Sequence, residues 1–179
     1  MIKEEYAENR YLALFYEHLK KHGEVYNPYC YPSQMFFLKC KPLRTSGITD
    51  PSKLYIHDRG ILEDRFIFVQ QQIEMGLMSQ EEIADYDKQY DEVLKQSFVE
   101  PEVLVYLKAD VGIMQERVKK RARDMESDLV ANSYLEALQK LYDNNLMPYI
   151  KENWKNTIIL TYDTNKMGEE DVAGQILKD

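Results

Sequence analysis

The stretch LYIHDRGILEDRF, residues 54–66, joins a short apolar run to two Asp-Arg pairs and an amphipathic segment. The run Tyr55–His57 predicts a strand, and the apolar positions from Ile61 onward predict a helix over 61–75. In open parallel sheets, ligands bind beyond the carboxyl ends of the strands. Charges at this exit therefore either bind a ligand or stabilise the helix start, and this stretch alone leaves both interpretations open.

The remaining chain alternates helical and strand patterns. Helices are predicted over residues 4–21, from Gln34 to no further than Pro42, from Ser79 through Leu94, and over 110–123, 133–153 and 169–177. Ser79 and Glu82 have the spacing of a capping box at the start of the third of these. The apolar runs Val103–Leu107 and Thr157–Tyr162 predict two more strands, buried on both faces. This order predicts one α/β domain, residues 1–179, with a parallel sheet of inner strands covered by helices. Antiparallel pairing among these strands would contradict it.

The composition narrows the class of protein. The net charge of −8 over 179 residues disfavours non-specific nucleic-acid binding, which needs a broad basic surface. No apolar run approaches the roughly 20 residues that span a bilayer, and the start lacks the features of a signal or transit peptide. Cys30 and Cys40 have no metal-site spacing, and the three histidines are scattered. We therefore expect a cytoplasmic protein with reduced thiols and no membrane segment.

A second charged cluster, ERVKKRARDME, occupies residues 116–126. Arg117 and Arg121 are four residues apart and so share a helical face, with Arg123 just beyond. Guanidinium groups in this arrangement can neutralise a phosphoryl group during its transfer. Basic residues in a last helical turn also simply complement the helix dipole. Both interpretations stay open for this cluster alone.

Taken together, these segments resemble the deoxynucleoside kinase family. Residues 54–68 are similar to its strand–Asp/Glu-Arg-Ser–helix segment, 11–18 to its first substrate-binding helix, 31–38 to its Phe-x-x-Gln helix, and 116–126 to its arginine lid. The resemblance covers nearly the whole chain in order. It implies a P-loop-kinase-like three-layer fold with a lid at about 117–130, and transfer of the ATP γ-phosphate, with Mg²⁺, to the 5′-hydroxyl of a deoxynucleoside, purines preferred.

The resemblance also implies roles for residues that contact the nucleoside. Gln34 and Asp64 would read the base edge, and Tyr16 and Glu126 would hold the sugar 3′-hydroxyl. Lys41 stands where the family has an arginine, and a lysine is a point charge that cannot make a bidentate contact.

The implied catalytic and donor residues form a second set. Arg59 would lie near the 5′-hydroxyl and Asp58 near the magnesium, while Glu4, or second Glu5, would take the hydroxyl proton. Donor phosphates would be covered by the lid arginines Arg117, Arg121 and Arg123.

Two further departures from the family pattern matter. Gly60 replaces a serine, which we expect to alter only the turn. More seriously, the chain has seven glycines and no G-x-x-x-x-G-K-[ST] phosphate-binding loop. The chain starts about where the family's segment after its first helix would lie. This predicts a fold without the first strand and an inactive or impaired enzyme, or an amino-terminally truncated form of a longer one.

Two alternatives to a kinase stay open. One is a non-catalytic, mitochondrial kinase-fold subunit similar to the accessory subunit of respiratory complex I, and the other is a nucleoside-binding module. By resemblance, family members form homodimers, here through helices at about 33–41 and 61–75.

Overall fold

The computed structural model describes residues 8–46, 48, 50, 52–121 and 132–178. Its contacts divide the chain into two compact units. The first comprises Met1–Val99 and Ala137–Tyr149, and the second Glu100–Glu136 and Ile150–Asp179. Within the described residues, no helix is both long and apolar enough to cross a membrane.

The first unit begins with helix α1, Arg10–His22. Asn9 caps it, because its Oδ1 accepts a hydrogen bond from the Tyr11 amide at 3.1 Å. At the other end, Gly23 has φ 75°, and its N–H donates to the Leu19 carbonyl at 2.8 Å. Glycine adopts this left-handed conformation without steric cost, so the helix ends there.

Helix α2, Cys30–Thr45, is longer than the sequence predicted in both directions. The prediction that it stops by Pro42 is wrong, since Pro42 lies inside the helix. The Thr45 hydroxyl donates to the Lys41 and Pro42 carbonyls at 3.2 and 3.3 Å, and the Ser46 amide donates to Pro42 at 3.0 Å. These bonds satisfy the Lys41 and Pro42 carbonyls and so stabilise the helical turn that follows the proline.

Helix α3 contains an irregular turn. It comprises Ile61–Glu63, a π-helical turn Asp64–Val69 and Gln70–Glu74. Helix α4, Gln80–Ser97, follows. The capping box predicted at its start is confirmed: the Ser79 amide donates to Glu82 Oε2 at 2.9 Å, and the Glu82 amide to Ser79 Oγ at 3.2 Å. Helices α1 and α4 both pack on α2.

The second unit contains a small parallel sheet. Strand β1, Val103–Lys108, pairs with strand β2, Ile158–Asp163, with Val103 opposite Ile158 and Lys108 opposite Asp163. Helix α5, Val111–Arg121, follows β1, and helix α7, Glu169–Ile176, follows β2. Helix α6 consists of Asn132–Leu141, a π-helical turn Tyr142–Leu146 and Met147–Asn153, and its middle part belongs to the first unit. The α/β class and the parallel pairing of these two strands are confirmed.

The third predicted strand, Tyr55–His57, is wrong. Only His57 forms an isolated bridge, and the described residues contain no ladder along this run. Leu54 and Ile56 are 85% and 54% exposed. A strand is held by ladder hydrogen bonds and cross-strand side-chain pairs, and residues 54–56 have no ladder partner within the described part of the chain.

One edge of β1 is open within the described part of the chain. The Ile158 amide donates to the Glu102 carbonyl at 2.9 Å and the Thr164 amide to the Lys108 carbonyl at 2.8 Å. Because hydrogen bonding alternates along a parallel strand, the backbone groups of Val103 and Leu107 point away from β2. These two side chains are 45% and 49% exposed.

Candidate functional site

The charges after residue 57 have separate partners in the first unit. Glu63, rather than either Asp-Arg pair, caps α3, since its Oε2 accepts a hydrogen bond from the Gly60 amide at 2.9 Å. Arg65 makes a bidentate contact with Asp87 of α4, with Nε–Oδ1 at 2.5 Å and Nη2–Oδ2 at 3.3 Å. The capping interpretation therefore explains neither Asp58, Arg59 nor Asp64.

Arg59 has an unusual backbone conformation. Its φ of 63° makes it the only non-glycine residue with positive φ in the described part of the chain. This conformation costs an L-residue about 1–2 kcal/mol, and such strain concentrates at functional sites. The exposed Arg59 guanidinium carbon lies 4.7 Å from the centroid of the Phe68 ring, in the π-helical turn of α3. This places Arg59 beside the turn that carries Asp64.

The strained backbone leads to a prediction about stability. We expect Arg59→Gly to be about 1 kcal/mol more stable than Arg59→Ala, because only glycine removes the left-handed cost once the side chain is gone. Urea unfolding of the two variants measures the difference. The matched control is Gly76→Ala, which introduces the same cost at φ 70°. An alanine variant as stable as the glycine variant would contradict the positive φ.

Lys41 and Asp64 form a buried ion pair between α2 and α3. Lys41 Nζ lies 3.1 Å from Asp64 Oδ2, and the two side chains are only 6% and 3% exposed. Lysine and aspartate are almost never this buried unless paired, because removing each charge from water costs several kcal/mol. The structure therefore brings together two predicted substrate-binding residues. Lys41 is the cationic partner of Asp64, at the position where the resemblance has an arginine.

Gln34 and Tyr16 belong to the same unit. Gln34 is 6% exposed and lies seven residues before Lys41 on α2, a spacing that puts both on one helical face. Its neighbour Ser33 accepts hydrogen bonds from Asn9 Nδ2 through its carbonyl and its hydroxyl, at 3.1 and 3.0 Å, which ties the start of α1 to α2. The half-buried Tyr16 ring packs edge-on against Phe15 at 5.2 Å.

Two buried tyrosines on α4 were not singled out from the sequence. Tyr86 is fully buried and Tyr90 is 6% exposed. The pKa of Tyr86 is raised, first by its burial and then by the nearby charge of Asp64. The pKa of Tyr90 is raised by its burial and, to a smaller extent, by Tyr149 and Asp64. Their spacing of four residues among polar neighbours is the signal that the sequence contains, and the apolar face of any amphipathic helix has the same spacing.

In the second unit, Arg117 forms hydrogen bonds at the ends of the two strands. It donates from Nη1 to Thr164 Oγ1 at 2.9 Å and from Nη2 to the Thr164 carbonyl at 2.6 Å. The buried Thr164 hydroxyl in turn donates to the Lys108 carbonyl at 2.8 Å. These contacts place Arg117 at the carboxyl ends of β1 and β2, the side of a parallel sheet where ligands bind.

Several predicted site residues lie outside the description. Glu4, Glu5, Arg123 and Glu126 fall outside the described residues, and of Arg121 only the position in α5 is described. Asp58 is exposed, and the described residues contain no group of three or more His, Cys, Asp or Glu side chains suited to a metal. A single carboxylate still fits Mg²⁺, which is held mainly by substrate phosphates, water and one or two carboxylates.

The architecture gives the structural class, and comparison with known proteins gives the family. Helices around a parallel sheet define an α/β protein. The family model for deoxynucleoside kinases matches residues 1–179, so the chain belongs to the deoxynucleoside kinase family.

Relatives from three organisms match parts of the chain. The deoxyadenosine/deoxycytidine kinase of Bacillus subtilis (strain 168) is 28% identical over 154 residues, 83% of this chain and 67% of the relative. The deoxyadenosine kinase of Dictyostelium discoideum is 28% identical over 161 residues, 87% of this chain and 62% of the relative. Thymidine kinase 2, mitochondrial, of Homo sapiens is 28% identical over 96 residues, 54% and 36% of the two chains. The matched regions thus span about two thirds or less of the relatives' lengths.

Proposed function

We propose that this chain is the nucleoside-binding part of a deoxynucleoside kinase that transfers the ATP γ-phosphate to a 5′-hydroxyl, with purine deoxynucleosides preferred. The observation that carries the proposal is the buried Lys41–Asp64 pair, with Gln34 on the same face of α2. Such a pair is often less stabilising than apolar residues of the same size, so its presence requires a reason other than stability. Reading the hydrogen-bonding edge of a base supplies that reason.

A first group of residues binds the base and the sugar of the nucleoside in this proposal. Asp64 accepts hydrogen bonds from amino or ring N–H groups of the base, and Gln34 and Lys41 bond to its other heteroatoms. Tyr16 and Glu126 orient the sugar through its 3′-hydroxyl. Positioning of this kind supplies a large part of the catalysis in phosphoryl transfer.

The proposed transfer step uses a second group of residues. Glu4 or Glu5 takes the proton of the 5′-hydroxyl as the hydroxyl oxygen bonds to the γ-phosphorus. The bond from the γ-phosphorus to the β-phosphate oxygen breaks in the same step and ADP leaves, while Arg59 stabilises the charge that develops beside the 5′-oxygen. Bound Mg²⁺, near Asp58, would neutralise charge on the donor phosphates. The lid arginines Arg117, Arg121 and Arg123 would bind donor phosphate through charge-assisted hydrogen bonds.

The proposal predicts an order of nucleoside affinities. Adenine and cytosine present an exocyclic amino donor, and guanine presents N–H donors, whereas thymine presents a carbonyl oxygen where a carboxylate would repel it. Among deoxyadenosine, deoxyguanosine, deoxycytidine and thymidine, we therefore expect thymidine to bind worst, by at least about fivefold from deoxyadenosine. Titration calorimetry with the four nucleosides measures the order.

Two variants sharpen this measurement. Asp64→Asn gives the site an N–H₂ donor and is expected to move the ratio of the deoxyadenosine and thymidine affinities toward thymidine. This ratio is independent of the fraction of protein that is folded. Glu92→Gln, an exposed carboxylate change on α4, is the matched control and should leave the ratio unchanged. Thymidine binding best to the natural chain would refute the assignment of Asp64.

A second candidate function is a non-catalytic kinase-fold subunit. It is favoured by the open, apolar edge of β1, because a further strand from a partner could pair there. This subunit would bind none of the four nucleosides and would fit a mitochondrial location.

For the kinase itself, we propose a cytoplasmic homodimer without a nucleic-acid partner. Its interface would use the helices at about 33–41 and 61–75, which correspond to the middle of α2 and to α3 with its C-cap residue Met75. The names of all three relatives contain a deoxynucleoside, which supports a nucleoside substrate for this chain.

A further inference from the structure

The hydroxyl groups of Tyr86 and Tyr90 are buried in the first unit without a hydrogen-bond partner among the described residues. The two rings stack at 6.4 Å with an interplanar angle of 19°, so both side chains leave α4 on the same face. Buried polar groups in folded proteins are almost always hydrogen-bonded, and an exception requires an explanation such as a water or a ligand. A packing role alone would be served equally well by phenylalanine.

These hydroxyls belong to the surroundings of the Lys41–Asp64 pair. The bidentate contact between Arg65 and Asp87 joins the residues directly after Asp64 and Tyr86, and so fixes α3 against α4 at this level. Helix α2, which carries Lys41, packs on α4. The charge of Asp64 also contributes to the raised pKa of both tyrosines, as expected for a carboxylate close by in the interior.

The Lys41 ammonium has hydrogen-bonding capacity left over. It pairs with Asp64 at 3.1 Å, yet Nζ makes no hydrogen bond of good geometry within the described chain. An ammonium group has three N–H donors. The interior around this pair therefore holds ammonium protons and two hydroxyls whose partners must be supplied from elsewhere.

We propose that Tyr86 and Tyr90 are further substrate-binding residues, whose hydroxyl groups bond to ring heteroatoms of a nucleobase held at the Lys41–Asp64 pair. This inference deepens the proposed function and rests on it. The hydroxyls stay unsatisfied in the free protein and gain their partners when the base enters. The unsatisfied hydroxyls lower the stability of the free protein, and in return they make the binding of a nucleobase selective.

The donor and acceptor pattern explains which base fits. Hydroxyl and ammonium donors next to the Asp64 carboxylate complement a ring nitrogen that lies beside an exocyclic amino group. Adenine presents N7 beside its 6-amino group, whereas thymine presents a carbonyl acceptor and a methyl group on the corresponding edge. Tyr86 and Tyr90 are thus expected to increase affinity for deoxyadenosine and to add little for thymidine.

The experiment uses Tyr86→Phe and Tyr90→Phe, which remove only the hydroxyl oxygen. Calorimetry should show deoxyadenosine affinity falling by about five- to tenfold in each variant while thymidine affinity changes by less than about twofold. In the free protein, thermal unfolding should shift upward by a few degrees, because an unsatisfied buried group is gone. Tyr26→Phe, at a half-exposed tyrosine that bonds to Glu82, is the matched control and should leave both affinities unchanged.

The possible failures can be told apart. If the natural chain binds no nucleoside, the proposed function fails and this inference fails with it. If the natural chain binds deoxyadenosine and both variants bind it equally well, only the inference is overturned, and a lower unfolding temperature would then assign the hydroxyls to an internal water. An equal loss of affinity for deoxyadenosine and thymidine would also overturn it, because that result indicates general loosening of the site.

Discussion

Residues 1–179, supplied with ATP, Mg²⁺ and deoxyadenosine, are expected to phosphorylate the nucleoside at least about 10²–10³-fold more slowly than the same chain extended by a phosphate-binding loop. Loss of one preorganised donor commonly costs a factor of this size, and a G-x-x-x-x-G-K-S loop would add several backbone N–H donors and a lysine. The extension is a strand, this loop and a helix placed ahead of residue 1, and transfer of radiolabelled γ-phosphate measures both rates.

The extended chain provides the controls. Replacing the loop lysine with alanine keeps the added strand and should return the rate toward that of the shorter chain. Activity that the extension restores should fall in Arg59→Lys, and in either Glu4→Gln or Glu5→Gln, which also identifies the base. Rapid turnover by residues 1–179 alone would mean that the donor phosphates are bound in another way.

Lys41→Met is expected to lower the free energy of unfolding by about 3–5 kcal/mol, because it leaves the Asp64 carboxylate buried without its cation. The double variant Lys41→Met/Asp64→Leu should recover most of the loss, since neither charge then has to be removed from water. Urea unfolding of the single and double variants measures the difference. Both should fail to bind deoxyadenosine.

The surface of the same unit offers a matched control for this pair. Lys53 and Asp50 lie at the same 3.1 Å separation, but their side chains are 68% and 39% exposed. Lys53→Met should therefore change stability very little, because exposed ion pairs are screened by water and salt. Equal effects of Lys41→Met and Lys53→Met would show that the Lys41–Asp64 pair is not buried in solution.

Local patterns predicted the elements whose causes are local. The capping box at Ser79 and Glu82 was predicted because both hydrogen bonds form within four residues. The strands at 103–107 and 157–162 were predicted because apolar runs of that length suit a parallel sheet. Pro42 and Tyr55–His57 were predicted wrongly because the outcome depends on longer-range partners: capping bonds from Thr45 and Ser46 in one case, and a neighbouring strand in the other.

The candidate site was predicted only as a set of residues. Family resemblance assigned Lys41 and Asp64 to substrate binding, but nothing in the spacing of residues 41 and 64 indicated that they pair. The positive φ of Arg59 depends on how the chain enters α3, which no local motif specifies. Tyr86 and Tyr90 were missed because a tyrosine at an apolar helical position gives no sign of whether its hydroxyl finds a partner.

The π-helical turn at Asp64–Val69 determines where α3 can lose a residue without losing the site. A π-helical turn accommodates one more residue than an α-helical turn. Loss of a single codon between 65 and 69 would therefore close the turn to regular α-helix and leave the residues on its two sides in the same relative orientation. A one-codon deletion in a regular part of the helix would instead rotate everything beyond it by about 100°. In evolution, changes of length are thus expected at this turn, where Asp64 can stay opposite Lys41.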